Sequence, residues 1–122
     1  MVFVTWERSI MNDDVPVMTD LDDLASMVQV QPESTVSRTV MKAEGLRIVL
    51  FAFDAGQVLT EHAAAMPVLL ELIEGHMRVT ADGRTVDLRP GGAVHLGTRL
   101  PHALEALVPS KMVLVMADHR QG

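Results

Sequence analysis

GQVLTEHAAAMPVLLELIEG, Gly56 to Gly75, and its continuation HMRVTADGRTVDLRPGGAVHLGTRLPHALEA, His76 to Ala106, decide the fold. Val68 to Ile73 is an apolar run closed off by Pro67 and Gly75, the length of a covered strand rather than of a helix. Met77-Arg78-Val79-Thr80 and Thr85-Val86-Asp87-Leu88 alternate on either side of Asp82-Gly83, and a D-G pair between alternating segments signals a hairpin. Pro90-Gly91-Gly92 turns the chain again, and Ala93–Leu96 and His102–Leu107 supply further strands.

Working outward, Leu46–Phe53 is a dense apolar run and Val36–Lys42 is β-branched and partly alternating, with Asp54-Ala55-Gly56 as a turn. Met112–Ala117 adds a last strand. Short strands at roughly ten-residue spacing, broken by Gly and Pro, indicate an all-β sandwich or barrel. Before them, Thr19 reads as a helix N-cap with Asp22 three residues on. Leu21, Leu24, Ala25 and Val28 follow at helical spacing, so one short helix is expected, ending before Pro32. Residues 1–18 read as an irregular arm, with Phe3 and Trp6 available to pack on the barrel or on a partner chain, and 19–122 as a single domain.

A length of 122 residues suits one core. The chain is 48% hydrophobic but 3% aromatic, so aliphatic side chains and nine methionines must fill that core. A formal charge of −6 argues against nucleic acid as a partner. The absence of cysteine excludes disulfides, thiolate nucleophiles and sulfur-ligated metals. The opening Met1–Trp6 is too short for a signal sequence and no apolar run reaches membrane-spanning length, so the expected location is the cytoplasm. Phosphate-cradling loops, dinucleotide fingerprints and nucleophile elbows are absent.

The glycines and histidines of 56–75 and 91–106 resemble the two motifs of the cupin family. The first motif, G-x5-H-x-H-x3-E-x6-G, is filled here by Gly56, His62, Ala64, Val68 and Gly75. The second, G-x5-P-x-G-x2-H-x3-N, is filled by Gly91, Gly97, Arg99, His102 and Ala106. The resemblance covers residues 45–117 and implies an all-β, cupin-like jelly-roll barrel with one short N-terminal helix. It also implies a homodimer. In metal-binding cupins three histidines and a glutamate hold a divalent ion. By position, His62 and His102 fall on two of those places, while Ala64 and Val68 occupy the others and cannot ligate.

Two imidazoles leave half a coordination shell to water, so no resident cofactor is expected, or at most a weakly bound Zn, Fe, Ni or Mn ion. Strand alternation turns Glu61, Glu71 and Glu105 away from the two histidines, and His95 away from Val94 and Leu96. The expected site is a small-molecule pocket with His62 and His102 at one end and Val68, Leu70, Leu104 and Ala106 around it, with Met66 and Met77 as further lining. Arg99, on the loop leading to His102, is either a carboxylate clamp at the entrance or a solvated loop residue. Gly97 is expected to absorb whatever backbone conformation Arg99 cannot. Two other roles stay open: a metal-dependent oxygenase or isomerase with an unidentified third ligand beside His62 and His102, and a dimeric interaction protein.

Overall fold

The computed structural model describes residues 17–117, the side chains of residues 61 and 62 excepted. Among these residues the chain forms β1 (Thr35–Ala43), β2 (Leu46–Phe53), β3 (Val58–His62), β4 (Val68–Glu74), β5 (Met77–Ala81), β6 (Arg84–Leu88), β7 (Ala93–Leu96), β8 (His102–Ala106) and β9 (Ser110–Ala117). One sheet has the order β1-β2-β9-β4-β7 and the other β3-β8-β5-β6. All pairings are antiparallel. Asp82 (φ 54) and Gly83 (φ 67) take the left-handed values of a two-residue type I′ loop, as the D-G pair foretells.

The period of two is visible in burial. In β4, Val68, Leu70 and Leu72 are buried while Leu69 and Glu71 are exposed. In β8, His102, Leu104 and Ala106 are buried on the same principle. These side chains meet Phe53, Met77, Val79, Leu88, Leu96 and Met112 between the sheets. Each fully buried leucine there contributes on the order of 1.5–3 kcal/mol.

β2 is apolar at every position but Arg47 because both its faces are covered. Phe51 and Phe53 point into the barrel, their rings stacked at 5.8 Å between centroids. Leu50 and Ala52 point the other way, into a second core with Val28, Val40 and Val113. Leu21, Leu24, Met27 and Val30 of the N-terminal segment close that second core from outside.

The segment does this without the expected helix. A single 3-10 turn, Leu24–Met27, stands in its place, bracketed by extended Asp23 and Val28, and no side chain caps it. Thr19 therefore caps nothing. The turn's carbonyls are drawn to the sheet: Lys111 Nζ donates to Ala25 O and Arg38 Nη1 to Met27 O, both at 2.7 Å. A helix this short has little stability of its own, so these tertiary bonds and the packing of Leu21, Leu24 and Met27 decide the conformation.

β3 has no counterpart among the expected strands. Phe3 and Trp6, with most of the expected arm, lie outside the described residues. Among the described residues no helix is long and apolar enough to cross a membrane.

Candidate functional site

Strand pairing assembles one end of the barrel. Along the four-stranded sheet, His62 is the register partner of His102, His102 of Ala81, and Ala81 of Arg84. Along the five-stranded sheet, Arg47 is the partner of Met116, Met116 of Val68, and Val68 of Leu96. The connections 63–67 and 97–101 join one row to the other, so the two rows face each other across the same end, about 10 Å apart as in packed sheets generally. Arg99 N donates to Ala64 O at 2.8 Å and ties the two connections together.

The structure thus brings His62 and His102 into register. The side chain of His62 lies outside the described residues. His102 is 4% exposed, and its Nδ1 lies 3.0 Å from Leu100 O. A carbonyl only accepts, so Nδ1 carries the hydrogen and, in the neutral ring, Nε2 is the acceptor nitrogen.

The residues present do not fit the family's metal ion. Ala64 and Val68, at two ligand positions, offer no donor atom, and Val68 is packed into the core. Among the described residues no group of three His, Asp or Glu side chains converges on a point. Glu71 and His95 are exposed, and Glu105 falls between the inward residues Leu104 and Ala106.

Of the expected lining, Val68, Leu70, Leu104, Ala106 and Met77 all sit in the closed core between the sheets. Met66 is half-buried on the connection to β4. A cavity of about 160 Å³ opens beside them, where β6 and β7 form the free edges of the two sheets. Val79, Ala81, Val86, Val94, Leu96 and Leu100 line it, with Asp82, Arg84 and His95 at its rim. None of these was foreseen as lining, because both edges of the opening come from strands outside the conspicuous positions of the motifs.

Arg99 is exposed on its loop and takes φ 59 itself, while Gly97 does not adopt positive φ. The expected division of labour is reversed: the arginine bears the left-handed conformation that suits the glycine of the motif.

The arginine that does face the barrel is Arg47. β2 pairs with β9 without a register shift from end to end, so Arg47 lies on the same face as Phe51 and Phe53. Its partner Met116 packs against the barrel core. The signal was present in the sequence as a lone charge in an apolar strand at the spacing of the two phenylalanines.

No protein-family model and no curated protein sequence matches the chain. Solved structures do. A conserved protein of unknown function from Streptococcus pyogenes superposes with a TM-score of 0.76 at 24% identity, over 93% of this chain and 98% of that one. A cupin superfamily protein from Desulfitobacterium hafniense gives 0.76 at 21% identity, over 91% and 100%. A cupin 2 conserved barrel domain protein from Leptotrichia buccalis gives 0.71 at 25% identity, over 77% of this chain and 46% of that one. With two facing antiparallel sheets, the motif glycines at their turns and these likenesses, the chain is a cupin in fold.

Proposed function

We propose that this barrel binds a compact organic ligand at the end where His62 and His102 pair, without a resident metal ion. The observation that carries the reading is the cavity of about 160 Å³ lined by Val79, Ala81, Val86, Val94, Leu96 and Leu100. It adjoins the histidines through Ala81, the register partner of His102, and through Leu100, whose carbonyl His102 holds. A mainly apolar recess with a few polar groups at one side is the usual composition of a small-molecule site. An apolar cavity of about 150 Å³ accepts a molecule the size of benzene, which sets the scale of the ligand's apolar part. His102, buried at that end with its Nδ1 on the Leu100 carbonyl, places an imidazole beside the recess.

The test is NMR titration of methyl-labelled methionine in the full chain with p-cresol and hexanamide. The expected result is saturable shifts at Met116 that disappear in Ala81→Phe, which fills the cavity. Binding that survives this substitution unchanged, or no saturable binding of either probe, would overturn the proposal.

A further inference from the structure

The guanidinium of Arg47 is poorly satisfied for a group in its position. Its Nε is buried and, among the described residues, has no hydrogen-bond partner. Its Nη2 reaches a thioether, Met116 Sδ, at 3.8 Å. Among the described residues no carboxylate pairs with it. A thioether is a weak acceptor, and buried polar groups are as a rule fully paired. Lysine or histidine can relieve such a position by giving up a proton, but arginine cannot. The missing partner must therefore be an acceptor, and an anion meets the need best.

The same molecule shows what that partner looks like. Arg78 presents the same edge of its guanidinium to Asp87, with Nε 3.0 Å from Oδ1 and Nη2 3.5 Å from Oδ2. This is the two-pronged grip that matches a carboxylate. In Arg47 the corresponding edge, Nε and Nη2, holds only sulfur among the described residues. A permanent positive charge here disfavours a divalent cation between the sheets and favours an anion.

We infer that the ligand of this barrel carries a carboxylate, that Arg47 grips it through Nε and Nη2, and that its apolar chain runs across the barrel end toward the cavity at Leu96 and Val94. The inference rests on the proposed function, since it takes this end of the barrel as the ligand site. Leu96 is three strands from Arg47, on the order of 14 Å along the sheet at ordinary strand spacing. The arginine side chain spans part of that distance, which leaves room for a short aliphatic or arylaliphatic acid rather than for acetate alone. Met116 and Val68 lie along the way, and a thioether side chain can move aside at little cost.

Hexanoate and its neutral isostere hexanamide, titrated calorimetrically into wild type, Arg47→Met, Arg47→Lys and Ala81→Phe, test the inference. Wild type is expected to bind hexanoate about tenfold or more tightly than hexanamide. Arg47→Met is expected to bind the two alike, Arg47→Lys to keep part of the preference, and Ala81→Phe to weaken both. Arg47→Met removes an unsatisfied donor, so it should melt no lower than wild type, which separates lost recognition from lost folding. Hexanoate should raise the melting temperature of wild type and leave that of Arg47→Met unmoved. Equal binding of the two probes by wild type, or a hexanoate preference untouched by Arg47→Met, would overturn the role of Arg47 and leave the ligand site standing. Failure of both probes to bind would overturn the site itself.

Discussion

Gly75 lies against Ser110 so closely that a Cβ on the glycine would collide with the serine hydroxyl and come within 2.5 Å of the Pro109 carbonyl. Ser110 is fully buried at this point, donating to Val108 O at 2.7 Å and accepting from His76 N at 3.1 Å. The turn from β4 into β5 therefore closes onto the start of β9 with no space between them. Gly75 also has φ +95, where an L side chain is strained. Gly75→Ala is expected to cost about 2–4 kcal/mol in urea unfolding, strain and collision together. Gly83→Ala is the control: its φ is +67 but open space surrounds it, so strain alone acts. Equal losses from the two substitutions would show that the close approach to Ser110 contributes nothing.

Asp87 links two side chains, Arg78 of β5 and His76 just before that strand, whose Nε2 lies 3.1 Å from Oδ2. The hydrogen bond from Arg78, and then that from His76, hold its carboxyl below the usual carboxylate range. A depressed pKa in the folded state adds stability above the unfolded value, near 3.9, and loses it as the pH falls through the folded value. Asp87→Asn should thus be slightly less stable than wild type at neutral pH and converge with it below about pH 4. The group is exposed, so the effect should be small and shrink in high salt. Urea midpoints of both proteins across that range decide the matter, and a gap that persists in acid would refute this account.

Arg99 carries a left-handed backbone on an exposed loop, a conformation that costs a side-chain-bearing residue about 1–2 kcal/mol. Arg99→Gly is expected to raise stability by about 0.5–1 kcal/mol, the relief being partly offset by the greater freedom of glycine in the unfolded chain. It should leave hexanoate binding unchanged, in contrast to Arg47→Met. A loss of stability in urea unfolding would mean that the guanidinium makes contacts worth more than the strain.

Lys111 fastens the outer cover to the barrel through Ala25 O, with its side chain 12% exposed. Lys111→Met keeps the aliphatic stem but leaves that carbonyl without its charged donor. The expected loss is about 1–2 kcal/mol. Hydrogen exchange should show faster opening of residues 20–30, with the strands around Leu70 and Leu72 unaffected. Uniform acceleration through all strands would show that the cover and the barrel open together.

Strands whose two faces differ were legible in the sequence, as were runs with both faces covered: β2 and β7 begin and end where their apolar patterns do. β3 was not, since Val58-Leu59-Thr60-Glu61-His62 has a single apolar pair and its pairing with β8 contains a register shift between Leu59 and His62. The covering segment carries genuine helical spacing, yet the partner that holds its turn, Lys111, lies 86 residues further on. No local pattern announces such a bond. The candidate site was half legible for a related reason. Motif positions locate His62 and His102, but Arg47 enters the same end only through the pairing of β2 with β9 and the parity that follows from it.

The five-stranded sheet is a wall with an occupant on each side. Phe51 belongs to the barrel and Leu50 to the outer core; Met112 to the barrel and Val113 to the outer core. Successive residues of β2 and β9 thus answer to different demands, one set by what the barrel holds and one by what covers it. Substitutions one residue apart on these strands therefore act on different cores, one inside the barrel and one beneath its cover.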